Sequence, residues 1–177
     1  MRLELVDHRS EPGPLPLDER RLAGLVADLG GPDWHLNLVL VDDGQMTGLR
    51  EQWYGGQGPT DVLSFSYLED EGPGEPALRA GEGAAARTFW LPPHAPDEPV
   101  TAGEVVLAPR FVAGRCAREG HDPEAEWALL LVHGALHVLG WTHDDDDERD
   151  RMRAQEASIL ARAGMTHPLT GQSGGDA

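Results

Sequence analysis

Three histidines, His133, His137 and His143, fall within eleven residues in the run HGALHVLGWTH. A spacing of four places His133 and His137 on the same face of a helix, one turn apart. Gly140 predicts the end of that helix, because glycine adopts the left-handed backbone that lets His143 turn back toward the other two imidazoles. Three neutral imidazoles that face one point form a metal site. We therefore expect one zinc ion per chain, with its fourth coordination position open to water.

The spacing of these histidines is that of the long zinc-protease signature, H-x-x-x-H-x-x-G-x-x-H. Such peptidases carry a general-base glutamate directly after the first histidine, where this chain has Gly134. Zinc lowers the pKa of its bound water to about 7 and supplies hydroxide for hydrolysis of an ester, amide or phosphodiester. A metal can also neutralise charge on a phosphate, so the sequence favours phosphodiester chemistry. It indicates no catalytic group beyond the zinc-bound water.

Size, charge and cysteine content narrow the class of protein. The chain has 177 residues, enough for one domain with a substantial core. Its net charge of −17 argues against a general basic surface for nucleic acid but permits a local cationic patch. We expect no membrane span and no signal peptide, and hence a cytoplasmic protein. The single cysteine, Cys116, is expected to be a buried hydrophobe rather than a metal ligand or nucleophile.

Hydrophobic periodicity predicts strands and helices along most of the chain. Strands are expected around Leu3 and Leu5 and at residues 34–40, 62–67 and 104–108, and helices at residues 17–29, 46–53, 111–119, 122–139 and 146–163.

A Gly- and Pro-rich segment interrupts this pattern. Ten of the 32 residues from 69 to 100 are Gly or Pro, which predicts a long loop or insertion within a single domain at residues 1–165. Its apolar island at residues 88–91 either pins the loop to the body or binds a partner. Residues 166–177 are expected to form a disordered tail.

The acidic run that follows the histidines has two interpretations. Residues 144–148, DDDDE, could hold a second cation, but acidic residues in the first turn of a helix are stabilised by its dipole, and the sequence favours that interpretation. Asp144 could orient an imidazole of the metal site. The remaining histidines are expected to be ordinary core or surface residues: His8, His35, His94, His121 and His167.

Two motifs carry a resemblance to a known family. LVHGALHVLGWTHD resembles the H-G-x-L-H-x-x-G-[YW]-D-H signature of the YbeY-type rRNA maturation endoribonucleases, and PTDVLSF at residues 59–65 matches that family's other hallmark. GEVVL at residues 103–107 resembles its G-D-I-V-I strand. The resemblance implies a single α+β domain in which a mixed sheet of about four strands packs against helices, with the metal ligands on His133, His137 and His143.

The resemblance also implies a function. It predicts a zinc-dependent, single-strand-specific endoribonuclease that acts in 16S rRNA 3′-end maturation and ribosome quality control. Its partners would be single-stranded rRNA and the small ribosomal subunit, with no membrane, while protein partners stay open. Asp61 and Ser64 in PTDVLSF are candidates to shape the floor of the site, or else to make structural hydrogen bonds.

This chain departs from the family at two basic positions. The family's Arg before PTDVLSF is replaced by Tyr54, and Gly56 stands at its Lys position. The loss of both cations weakens phosphate neutralisation. Arg50, one helical turn before Tyr54, is either a substitute or a solvated surface residue. A zinc-stabilised ribosome-assembly factor that binds RNA without cutting it is therefore an alternative, and a zincin-like metallopeptidase is a weaker one because of Gly134.

Overall fold

Strands and helices alternate through the first half of the chain, and helices follow the last strand. The computed structural model describes residues 1–31, 33–68, 76–80, 87–90 and 99–171. The elements are β1 (Arg2–Asp7), α1 (Glu19–Val26), β2 (Trp34–Leu40), α2 (Asp43–Tyr54), β3 (Val62–Ser66), β4 (Pro76–Ala80), β5 (Arg87–Trp90), β6 (Val100–Leu107), α3 (Pro109–Glu119), α4 (Pro123–Val138), α5 (Asp146–Arg162) and a 3₁₀ turn (Pro168–Gly171). Apart from β4, β5 and the 3₁₀ turn, every element was predicted from the sequence.

A four-stranded mixed sheet organises the fold, in the order β1-β2-β6-β3. β1, β2 and β6 run parallel, and β3 pairs antiparallel with β6. The larger core cluster joins one face of the sheet to α1, α4 and α5, and the smaller one joins the other face to α2. The fold is therefore α+β, as expected. Cys116 is buried in the larger cluster, and burial raises the pKa of its thiol, as expected of a structural cysteine.

Helix α4 lies at the centre of the larger cluster. Asp122 caps its first turn by accepting a hydrogen bond from the Glu124 amide, and Pro123 occupies the first helical position. From Glu126 to Val138 every residue is buried except His133 and His137. The helix is thus apolar on nearly all sides and open only where the two histidines lie. In the part of the chain that the structure describes, no helix is both long and apolar enough to cross a membrane.

The segment expected to be a long loop contains regular structure. Pro76–Ala80 and Arg87–Trp90 pair as an antiparallel hairpin. The high Gly and Pro content hid this pairing, because it outweighed the strand preference of the Thr, Phe and Trp at residues 88–90. Whether the apolar residues 88–91 pin the segment to the body or bind a partner depends on their side chains, which lie outside the described part of the structure.

The ordered chain also continues beyond the expected domain limit at residue 165. His167 is only 4% exposed, and the 3₁₀ turn follows it. The expectation of a tail that is disordered from residue 166 is therefore wrong for its first residues, because His167 is tied to a buried carboxylate described below. Residues 172–177 lie outside the described part of the chain.

Candidate metal centre

The end of α4 brings the three histidines together. Gly140 has a φ of +81°, which L side chains rarely adopt, and its amide donates to the His137 carbonyl oxygen at 2.9 Å. The next amide, that of Trp141, donates to the Leu136 carbonyl oxygen at 3.0 Å. After this turn His143 reaches the other two imidazoles, and one nitrogen from each of the three rings lies within 4.8 Å of the others. The three side chains can hold a metal ion.

The hydrogen bonds of His133 and His137 fix which nitrogen of each ring faces the site. His137 donates from Nδ1 to the Trp141 carbonyl oxygen at 2.9 Å, since a carbonyl can only accept. His133 donates from Nδ1 to Glu156 Oε1 at 2.7 Å. In the neutral rings both Nε2 atoms therefore carry a lone pair and no hydrogen.

These two nitrogens, neither of which carries a hydrogen, lie close together. His137 Nε2 lies 3.1 Å from His133 Nε2, a separation at which two acceptors repel unless a cation lies between them. Two ligands of a tetrahedral zinc ion, each at about 2.0–2.1 Å, lie about 3.3–3.4 Å apart. The donor set and its spacing therefore fit a zinc-sized ion.

The electrostatics keep His137 in the state that a metal needs. Burial, together with the neighbouring His133 and His143 imidazoles, lowers the pKa of His137 from 6.5 to about 4. His137 is therefore neutral at pH 7, and no proton must leave its ring before it can coordinate.

Glu156 on α5 is a functional residue that the sequence reasoning missed. Its carboxylate bridges two rings, accepting from His133 at 2.7 Å and from His167 Nε2 at 3.0 Å. Burial alone raises the pKa of Glu156, but these hydrogen bonds outweigh burial and hold the pKa below its usual value. A signal was present: Glu156 stands among the apolar residues of the buried face of α5, Met152, Ile159 and Leu160.

The acidic run closes the loop that carries His143. Asp145 caps α5 by accepting from the Glu148 amide at 2.7 Å. Glu148 in turn accepts from the Thr142 hydroxyl at 2.6 Å and from the Asp144 amide at 3.2 Å. The run thus serves as the helix start that the sequence favoured. The groups that orient imidazoles are Glu156 and the Trp141 carbonyl, rather than the predicted Asp144.

A cavity of about 420 Å³ opens beside the histidines. Its lining combines His133 and His143 with charged residues of α3, α4, α5 and the loop before β3, including Asp61, Arg115, Glu126, Arg149, Arg153 and Glu156. Arg115 forms ion pairs with Asp61, at 2.5 Å, and with Glu126. Glu126 also bonds the His121 ring at 3.0 Å. These side chains therefore form a network of paired charges along the cavity.

Comparison with known proteins places this site in a family. The model of the family "Endoribonuclease YbeY" matches residues 24–164. The chain belongs to the YbeY endoribonuclease family. The "Endoribonuclease YbeY" of Salinispora tropica is 40% identical over 129 residues, covering 71% of this chain and 72% of its own. Those of Pelotomaculum thermopropionicum and Thermobifida fusca are each 36% identical, covering 80% and 88% of this chain and 80% and 92% of their own. A solution structure from Thermotoga maritima aligns over 94% of this chain and 99% of its own, at 17% identity and a TM-score of 0.48.

The three candidate residues in and before the PTDVLSF motif, Asp61, Ser64 and Arg50, have different surroundings in the structure. Asp61 lies in the cavity lining, where it accepts from the Thr60 hydroxyl and the Val62 amide and pairs with Arg115. Ser64 lies within β3, where its backbone carbonyl accepts from the Tyr54 hydroxyl at 2.9 Å. Arg50 donates to the Gln57 carbonyl at 2.9 Å and braces the loop before the motif. Neither Ser64 nor Arg50 is among the residues that line the cavity.

Gly134 of the YbeY signature has a packing role. A Cβ atom at residue 134 would lie 2.7 Å from Val105 Cγ1 on β6, so α4 packs against the sheet more closely than any side chain permits. Gly103 on β6 is crowded as well, because an added Cβ there would clash with the Phe65 carbonyl oxygen of β3 and lie 2.8 Å from Val138 Cγ1 of α4. At the position where zinc proteases carry their general base, this chain has a glycine that packs against the hydrophobic core.

We expect Gly134→Ala to lower the free energy of unfolding by about 1–3 kcal/mol, because the added methyl group overpacks the contact with Val105. Gly48→Ala is the matched control, since Gly48 is exposed in the middle of α2 and an added Cβ meets nothing within 4 Å. The control should raise the free energy of unfolding by about 0.5–1 kcal/mol. Urea denaturation measures both. Equal stability of Gly134→Ala and the wild type would contradict the packing role.

Proposed function

We propose that the protein is a zinc-dependent, single-strand-specific endoribonuclease that acts in 16S rRNA 3′-end maturation and ribosome quality control. The observation that carries the proposal is the pair of bare Nε2 atoms, 3.1 Å apart, beside a cavity lined with arginines. Membership of the YbeY endoribonuclease family supplies the reaction and the RNA substrate. The proposed setting is the cytoplasm, with the small ribosomal subunit as partner and one domain that continues past residue 165 to include the buried His167.

The three histidines would hold the zinc ion, which all-imidazole ligation with an open position suits. When bound, zinc supplies Lewis-acid activation of water and of a phosphodiester oxygen. The protein's own residues do the rest. Glu156 and the Trp141 carbonyl hold the His133 and His137 rings in the orientation and tautomer that leave Nε2 free. The ion pairs of Arg115 hold that part of the cavity lining in place, and the cavity would admit the substrate backbone.

Two other functions would use the same histidines. A ribosome-assembly factor that binds RNA without cutting it would use the same zinc site for stability, and Tyr54 and Gly56 in place of basic residues would favour it. A zincin-like metallopeptidase carries its base at residue 134, where this chain has a glycine packed closely against Val105. The structure thus argues against the peptidase, and an activity measurement separates the other two.

We expect removal of the metal to abolish cleavage of single-stranded RNA. The test incubates the purified protein with a labelled single-stranded RNA of about 20 nucleotides before and after dialysis against a chelator, and then after addition of one equivalent of Zn²⁺. Activity should disappear with the metal and return with zinc, while a fully double-stranded RNA should stay intact throughout. Cleavage that survives complete metal removal would overturn the proposed mechanism. Zinc binding without any cleavage would support the assembly factor.

A further inference from the structure

Three arginines line the cavity beside the histidines, and they differ in how their charge is balanced. Arg115 is held between two carboxylates, those of Asp61 and Glu126. Arg149 pairs with Asp146, four-tenths of its side chain being exposed. Arg153 is exposed, and within residues 1–31, 33–68 and 99–169 it has no ion pair or hydrogen bond. Arg153 therefore brings a positive charge that no carboxylate of the described chain neutralises.

The position of Arg153 on α5 is fixed by its neighbour. Glu156 bonds His133 at 2.7 Å, so the face of α5 that carries Glu156 looks toward the metal site. Arg149, Met152 and Arg153 also line the cavity, which places all four residues on that face. Arg153 lies one turn before Glu156, and side chains three positions apart on a helix are neighbours. The free cation thus opens into the same cavity as the proposed metal ligands.

The carboxylates of the cavity, apart from Glu119, have ion-pair or hydrogen-bond partners of their own. Asp61 and Glu126 pair with Arg115, and Glu156 accepts from two imidazoles. Glu119 is the half-exposed carboxylate at the rim, 3.8 Å from the His121 ring. An anion that enters the cavity therefore meets one unpaired guanidinium near the histidines. Arginine matches the oxygens of a phosphate with two parallel N–H donors, and the backbone of single-stranded RNA carries one such anion per nucleotide.

We propose that Arg153 binds a backbone phosphate of the RNA adjacent to the phosphodiester held at His133, His137 and His143. This inference rests on the proposed function and adds a substrate-binding residue to it. Because a phosphate contact carries no sequence information, Arg153 is expected to strengthen binding of every single-stranded RNA alike.

The experiment compares Arg153→Ala with Arg151→Ala in the full-length zinc-loaded protein. Arg151 is exposed on the same helix but does not line the cavity, so it matches the change in total charge. We expect Arg153→Ala to raise KM for a labelled single-stranded RNA about fivefold, to leave kcat within about twofold, and to act equally on two RNAs of unrelated sequence. The slope of log KM against log salt should fall by about 0.7, the value for one lost phosphate contact on a single strand. Arg153→Lys should restore most of that slope.

The outcomes separate this inference from the proposed function. If the wild-type protein does not cleave single-stranded RNA, the proposed function fails, and the inference fails with it. If the wild type cleaves, and Arg153→Ala has the KM and salt slope of Arg151→Ala, the inference alone is overturned. A loss confined to kcat, or an effect on one of the two RNA sequences only, would also overturn it. Metal content and melting temperature are measured for each variant, and an Arg153→Ala protein that loses zinc would be a structural variant, which contradicts a role in substrate binding.

Discussion

Replacement of His137 by alanine is expected to abolish both metal binding and RNA cleavage. The ring is one of two whose bare Nε2 atoms face each other at 3.1 Å, and no other side chain of the described chain can replace it at that point. Loss of a residue that merely orients a ligand commonly lowers metal affinity by about 10- to 100-fold, so loss of the ligand itself should lower it by more than about 100-fold. Metal analysis of the purified variant and a cleavage assay on single-stranded RNA measure the two effects.

His8→Ala provides the control for this variant. His8 is exposed, follows β1 and lies outside the histidine cluster, so its loss should leave both the metal content and the cleavage rate unchanged. Circular dichroism establishes whether His137→Ala is folded. A folded His137→Ala protein that retains stoichiometric zinc would contradict the assignment of the ligands. One that loses zinc but still cleaves RNA would refute a metal-dependent mechanism.

Glu156→Ala is expected to have the second-largest effect, although Glu156 touches no metal. Its carboxylate accepts from His133 and from His167, and it is only 3% exposed. Alanine would leave the buried His167 N–H and the partly buried His133 N–H without their acceptor, at a cost of about 2–3 kcal/mol in the free energy of unfolding. It would also release the His133 ring from its orientation, which should lower zinc affinity by about 10- to 100-fold. Competition with a zinc chelator measures the affinity, and urea denaturation of the metal-free protein measures the stability.

Glu156→Gln tests whether the acceptor or the charge matters. Glutamine keeps one oxygen that can accept from His133 Nδ1, so its zinc affinity should lie between those of the wild type and Glu156→Ala. A Glu156→Ala protein that is less stable but binds zinc as tightly as the wild type would limit Glu156 to a role in the core. Equal zinc affinity of all three proteins would contradict its role in orienting His133.

The parts of the site that could be predicted are those that local geometry determines. The spacing of His133 and His137 follows the helical period, and a glycine at residue 140 is what a chain needs to leave the helix and return with His143. The central helix and the strands followed from hydrophobic patterns for the same reason. Each of these inferences needs only residues that are close in sequence.

The parts that could not be predicted depend on contacts between distant segments. Glu156 is 23 positions from His133 and 11 from His167, and a single sequence gives no sign that these side chains meet. For the same reason the segment after residue 165 was expected to be disordered, although His167 is held in place by Glu156. The pairing of Asp61 with Arg115 depends likewise on the approach of α3 to the loop before β3. The high Gly and Pro content also predicted a loop where the structure has the paired strands β4 and β5.

The close contact between Gly134 and Val105 limits how this scaffold could evolve. A glutamate at residue 134 would complete the H-E-x-x-H sequence of zinc peptidases, yet its Cβ would lie within 2.7 Å of the β6 side chain. To accommodate it, the strand would first have to lose the Val105 methyl groups, or the helix would have to move away and carry its histidines with it. A glutamate at this residue would therefore lower the free energy of unfolding as well as change the chemistry of the site. The choice of residue beside the first histidine is thus coupled to how closely the helix can approach the sheet.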